Sequence, residues 1–271
     1  MSDAPLIDIH DATVWRGATR VFDGLNLQIG QHEPTAILGP NGSGKTTLLK
    51  VILRELYPAN REGSWVRILG RDTWNVWELR SHIGVVSHDL QARYRANTSG
   101  LDVVLSGYLS SVGVHGVLAE KLSSGQRDHA VSIMERLGIE ALRDTPLTRM
   151  STGQQRRCLL ARALVHDPHT LILDEPTAGL DLAASFDYLA TIERLAAEGR
   201  NIVLVTHLLN EIPPAIDRVI LLRDGRIVDD GPKAAVLTVD KLRRTYGTDL
   251  RLAQVDDYYL AYPPSADEPS A

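Results

Sequence analysis

The sequence predicts an α/β chain with a mostly parallel core sheet, an antiparallel β subdomain ahead of it and a helical insert within it. Three observations carry this. Short apolar runs, Thr35-Ala-Ile-Leu38, Ile83-Gly-Val-Val86, Thr170-Leu-Ile-Leu173 and Asn201-Ile-Val-Leu-Val205, alternate with helix-patterned stretches, the order that lays helices on both faces of a parallel sheet. Ahead of Thr35 the apolar residues instead recur with period two, in Leu6-Ile-Asp-Ile9, Ala12 to Trp15 and Leu25-Asn-Leu-Gln-Ile29, broken at Gly17 and Gly24, which reads as antiparallel strands. From Ser87 to about Arg149 charges multiply, and helix-like runs at Gly100 to Leu109 and Asp128 to Leu137 flank a Gly/Ser-rich stretch, Ser110 to Gly125, expected as loop.

Taken in order, the strand at Thr35 runs into Gly39, Pro40, Asn41, Gly42, Ser43, Gly44, Lys45, Thr46 and Thr47, then the helical Leu48-Leu-Lys-Val-Ile-Leu53. This is the phosphate-loop spacing in the strand-to-helix context it requires. Gly39, Gly42 and Gly44 are expected to let successive backbone N–H groups turn inward on a polyphosphate, beside the positive end of the helix that starts near Lys45. Lys45 supplies a point charge for the terminal phosphates and the Thr46 hydroxyl suits Mg²⁺, with Thr47 as a second donor. Trp15 or Arg16 has the flat group that stacks on a purine ring, core packing being the alternative for Trp15.

A strand at Gly63 to Leu69, a short helix from Trp74 to Ser81 and the strand at Ile83 follow. Beyond the insert come a helix from Gly153 to Val165, the strand at Thr170, a helix from Ala183 to Glu198, the strand at Asn201, a short helix, and strands at Arg218 to Leu222 and Arg226 to Asp229. The predicted organisation is one domain over 1–240 with its insert at about 87–152, an extension at 241–262 containing a strand, and a tail at 263–271 without apolar side chains larger than alanine, expected to be disordered.

The strand at Thr170 ends in Asp174 and Glu175, at the C-terminal tip where ligands of open α/β sheets collect. Asp174 suits a Mg²⁺ shell, and Glu175 suits the orientation or deprotonation of an attacking water. Composition narrows the field. The 271 residues are 44% apolar with a net charge of −5, which argues against a general nucleic-acid coat. No run approaches the ~20 apolar residues of a membrane span, so a cytoplasmic location is the default expectation. The one cysteine, Cys158, allows no internal disulfide and reads as a packing residue.

With Met150-Ser151-Thr152-Gly153-Gln154 upstream of Asp174, the chain from about Leu6 to Lys233 resembles the ATP-binding subunits of ABC transporters, P-loop NTPases of the ABC ATPase type. The resemblance implies ATP and Mg²⁺ as ligands and roles for Ser151, Gly153 and Gln154 as the signature, Asp181 in Ala178-Gly-Leu-Asp181 as the D-loop, and His207 as the switch residue contacting the γ-phosphate. It implies that two copies pair head to tail around two ATP molecules, on the inner face of a membrane beside a permease. The Q-loop glutamine falls near Val86-Ser-His-Asp-Leu-Gln91, where His88 replaces it with Gln91 three residues on; both are candidate metal or water contacts. Thr152 stands where glycine is usual. Leu122-Ser-Ser-Gly-Gln126 imitates the signature but lies too far ahead of Asp174. Ser106 to Gly113 resembles iron-complex-type or molybdate-type uptake ATPases. The competing reading is a soluble ABC-type ATPase acting on ribosomes or nucleic acid, disfavoured by the single domain and the lack of long core insertions.

Overall fold

The computed structural model describes residues 4–114 and 120–264. The described residues fall into two compact units, one drawn from 4–74 and 203–264, the other from 75–114 and 120–202. The second is wider than the predicted insert, because strands and helices on either side of 87–152 pack with the insert's helices. Part of the Ser110 to Gly125 loop and most of the tail lie outside the described residues.

The first unit opens with β1 (Ile7–Arg16) and β2 (Thr19–Ile29), an antiparallel pair. The two apolar clusters of β1 form one strand rather than two. Ile7 and Ile9 are buried, then Ala12 and Val14; that change of parity would turn the second cluster outward in a regular strand. A register shift between Ile9 and Ala12, with Asp11 at φ 46°, resets the face. Next come β3 (Thr35–Leu38), buried throughout, α1 (Lys45–Ile52) and β4 (Trp65–Ile68), which pairs with β1 to give the order β2-β1-β4.

The second unit holds α2 (Val76–His82), β5 (Ile83–Val86), α3 (His88–Ala92), α4 (Gly100–Leu105), α5 (Ser124–Arg136), α6 (Thr152–Leu164), β6 (Thr170–Asp174) and α7 (Leu182–Ala197). Helix starts follow cap chemistry. Asn75 accepts the Trp77 N–H, so α2 begins after Trp74, and Ser123 and Ser151 each form a reciprocal capping box with Gln126 and Gln154. The strands β5 and β6 are parallel, with Val86 opposite Leu173.

The strand β7 (Asn201–Thr206) returns the chain to the first unit, followed by β8 (Arg218–Arg223), β9 (Arg226–Pro232), α8 (Lys233–Val236), α9 (Val239–Tyr246), β10 (Arg251–Val255) and β11 (Tyr258–Tyr262). There β3 lies between β7 and β8, parallel to both, and β9 is antiparallel to β8. The predicted extension contains the hairpin β10–β11, and also the helix α9, which the sequence reading missed. Its apolar signal is slight: only Leu242 and Thr245 are buried. Among the described residues no helix is long and apolar enough to cross a membrane.

Candidate nucleotide site

In the first unit the register sets Leu38 of β3 opposite Thr206 of β7, so the loop after Leu38 and His207 leave adjacent strands at the same end. The Gly39 N–H donates to the Thr206 carbonyl at 3.3 Å. Lys45 is buried, and its Nζ donates to the carbonyls of Gly39 at 2.7 Å and Pro40 at 3.0 Å, holding the ammonium inside the loop's curve. No side chain caps α1: its N-cap is Gly44, at φ 111°. Unlike the helix starts capped by Ser87, Ser99, Ser123 and Ser151, this one has no side-chain acceptor on it, the arrangement in which a helix N-terminus takes an anion. Asn41, Gly42 and Thr46 are exposed, whereas Ser43 and Thr47 are buried.

The three loop glycines serve for different reasons, which corrects the single explanation expected. Gly42 and Gly44 have the left-handed backbone, at φ 82° and 111°. Gly39 does not; a Cβ there would lie 2.1 Å from the Leu222 carbonyl oxygen and 2.9 Å from Ser43 Oγ. Because the nearest obstacle is backbone, it cannot swing aside. Gly39→Ala is expected to cost stability by about 1–3 kcal/mol, a lower Tm that appears without nucleotide; an unchanged Tm would refute the close-approach account.

His207 is half-buried at the end of β7. Its carbonyl accepts the Tyr246 hydroxyl at 2.9 Å, and the Thr206 hydroxyl donates to the Glu211 carboxylate while accepting the Leu208 N–H at 3.0 Å. Burial pushes the Tyr246 phenol upward, so it stays a neutral donor. Sequence reasoning missed both braces. Glu211 is only five residues from Thr206, but Tyr246 comes from α9 and is reached by tertiary folding alone.

Trp15 is 47% exposed, which removes core packing as its explanation, and Arg16 beside it is also exposed. The Arg20 guanidinium lies 6.0 Å from the Trp15 ring centroid, at the edge of cation–π range.

In the second unit Asp174 is the last residue of β6 and Glu175 follows at φ 46°. A left-handed backbone at a bulky non-glycine residue costs on the order of 1 kcal/mol and marks an over-determined turn. Here that turn continues through hydrogen bonds from Ala178 N–H to the Glu175 carbonyl and from Leu180 N–H to the Thr177 carbonyl. The parallel register with β5 brings Ser87 and exposed His88 out at the same end as Asp174. Gln91 donates its amide to Gln155 Oε1 at 2.7 Å. Among the described residues no three His, Cys, Asp or Glu side chains are grouped to hold a metal.

Ser151 is exposed at the start of α6. Its Oγ accepts the Gln154 N–H at 3.2 Å, and Gln154 Oε1 accepts the Ser151 N–H at 2.9 Å. The cap uses a lone pair of the hydroxyl and leaves its proton for another acceptor. Asp181 caps α7 by accepting the Ala184 N–H at 2.8 Å. The two helix starts are close, since a Cβ on Gly153 would stand 3.2 Å from Ala184 Cβ. Cys158 is buried, as expected of a packing residue, and burial pushes its thiol up to about 12.

Comparison with known proteins bears on the family of the chain. The family model described as ABC transporter matches residues 22–178. A putative ABC transporter ATP-binding protein of Streptococcus mutans is 31% identical over 256 residues, covering 93% of this chain and 96% of the relative. The cobalt import ATP-binding protein CbiO of Rhodobacter capsulatus is 36% identical over 224 residues, covering 82% of this chain and 76% of the relative. Among solved structures, cbiO1 of Clostridium perfringens, part of the ABC transporter complex cbiONQ, superposes with a TM-score of 0.71 at 28% identity, covering 89% of this chain and 94% of that one. A phosphate loop, an acidic strand tip and a serine-capped helix start, on a chain matched along nearly its whole length by such a relative, mean that it belongs to the ABC transporter family and is one of its ATP-hydrolysing members.

Proposed function

We propose that this chain is the ATPase subunit of a membrane importer, and that two copies pair head to tail with each ATP held by the phosphate loop of one and the Ser151 turn of the other. The loop N–H groups from Gly39 to Gly44 and Lys45 bind the β- and γ-phosphates, and Trp15 or Arg16 stacks on the adenine. The Thr46 hydroxyl and the Asp174 carboxylate are hard oxygen donors of the kind Mg²⁺ takes together with phosphate oxygens and water, and the ion would neutralise charge between the phosphates. Glu175 accepts a proton from the attacking water as its oxygen bonds to the γ-phosphorus and ADP departs. His207 donates to the γ-phosphate. The partner's contribution is the Ser151 hydroxyl and the N–H of Gly153, at the N-terminal end of α6 where an anion is stabilised; Asp181, which caps the neighbouring helix, holds the D-loop beside them.

The observation that carries the shared site is the start of α6, an exposed serine whose cap leaves its proton free. Import is supported by the likeness to subunits named for cobalt and hemin import, and with no described helix able to cross a membrane, attachment would be peripheral through a permease. Tagged chain purified from gently solubilised membranes is expected to bring down an integral membrane protein in fixed stoichiometry, and vesicles carrying that complex to accumulate cargo only with ATP. Recovery with ribosomes instead would overturn the transport reading.

A further inference from the structure

The Gln91 side chain, a candidate metal or water contact, has its amide nitrogen committed to Gln155. The Gln155 amide donates to the carbonyls of Leu147 at 3.0 Å and Met150 at 3.2 Å. With its two N–H groups spent on those acceptors, Gln155 turns its oxygen toward Gln91, and Gln91 must present N–H, the contact seen at 2.7 Å. The polarity of both amides is therefore dictated by two backbone carbonyls. Among the described residues Gln91 Oε1 is buried without a hydrogen-bond partner, and the bond to Gln155 is made by Nε2.

The ends of this chain of bonds matter. Leu147 and Met150 bracket the tight turn immediately before Ser151. Gln91 sits on α3, which Ser87 caps directly after β5, and β5 runs parallel to the strand that ends at Asp174. We propose that Gln91 is a positioning residue, which through Gln155 holds the turn that aims Ser151 and the first N–H groups of α6. The inference rests on the proposed role of Ser151 toward a phosphate.

The test uses the full chain with Gln91→Leu, Gln91→Glu, Gln155→Leu, the Gln91→Leu/Gln155→Leu double variant, and Ser151→Ala as reference. Deuterium uptake at the amides of 150–154 is expected to accelerate in every Gln variant, and the double variant to exchange no faster than the worse single one. Turnover should fall about three- to tenfold, as for loss of one hydrogen bond, while ATP affinity of the single chain and the Mg²⁺ requirement stay unchanged. Gln91→Glu, equal in shape but without a donor, should be at least as impaired as Gln91→Leu. Additive exchange effects, a tolerated glutamate, or an altered Mg²⁺ requirement would each overturn the proposal, the last returning Gln91 to the metal. Full activity in Ser151→Ala would remove the shared-site reading, and the exchange data would still decide whether Gln91 holds the turn.

Discussion

Glu175→Gln is expected to bind ATP as tightly as the parent chain and to hydrolyse it about 10²–10⁴-fold more slowly, the range for loss of a general base. The substitution keeps shape and hydrogen-bonding capacity, so the left-handed turn at φ 46° has no new reason to relax. What disappears is the acceptor for the proton of the attacking water. Binding without turnover has a second consequence: chains that pair around ATP cannot separate by consuming it. Light scattering of Glu175→Gln should show a dimer with ATP and a monomer with ADP, whereas the parent chain shows the dimer only transiently. Hydrolysis at the parent rate would remove Glu175 from the chemistry, and a monomer in saturating ATP would count against the head-to-tail pair.

Lys45→Ala is expected to weaken ATP binding by about 10- to 100-fold, the worth of a hydrogen bond to a charged group. The ammonium is buried within the loop and oriented by the Gly39 and Pro40 carbonyls, so it meets the phosphates already in place. Lys45→Arg should not restore affinity, because the planar guanidinium is too large for a position shaped for a point charge. Equilibrium binding of a fluorescent ATP analogue measures the loss, and circular dichroism checks that the fold survives. Parent affinity in a folded Lys45→Ala chain would sink the assignment of this loop as the phosphate site.

Much of the candidate site was legible because the patterns that mark it are local. The interval from Gly39 to Thr46 spans one strand-to-helix turn, and spacing over so short a distance dictates which atoms face inward. Asp174 and Glu175 were legible for a similar reason, since an apolar strand running into two carboxylates has few other uses. The reading was less secure where a local pattern has more than one use. Ser123 and Gln126 build the same capping box as Ser151 and Gln154; cap geometry does not tell them apart, and the preference for Ser151 rested on the distance from Asp174 and on the basic helix start Gln155-Arg-Arg157 in place of Arg127-Asp128-His129. Trp15 was ambiguous between core and surface, since aromatic residues on strands serve either. Its 47% exposure follows from where β1 ends rather than from its neighbours in sequence.

By itself the sequence determined the glycine-rich strand-to-helix turn, the acidic strand tip, the alternation of core strands and helices, and hence the family, all of which depend on residues a few positions apart or on periodicity within one element. Tertiary structure alone decided that Gly39 is glycine for the sake of the Leu222 carbonyl, that Tyr246 braces His207, and that the Gln91 amide donates to Gln155. Each of those contacts joins groups from separate elements, 39 to 183 residues apart for these three pairs. The same distinction returns at the phosphate loop, where composition announces that the chain must turn sharply, but only the packed neighbours reveal which of its glycines answers to backbone torsion and which to a wall 2.1 Å away.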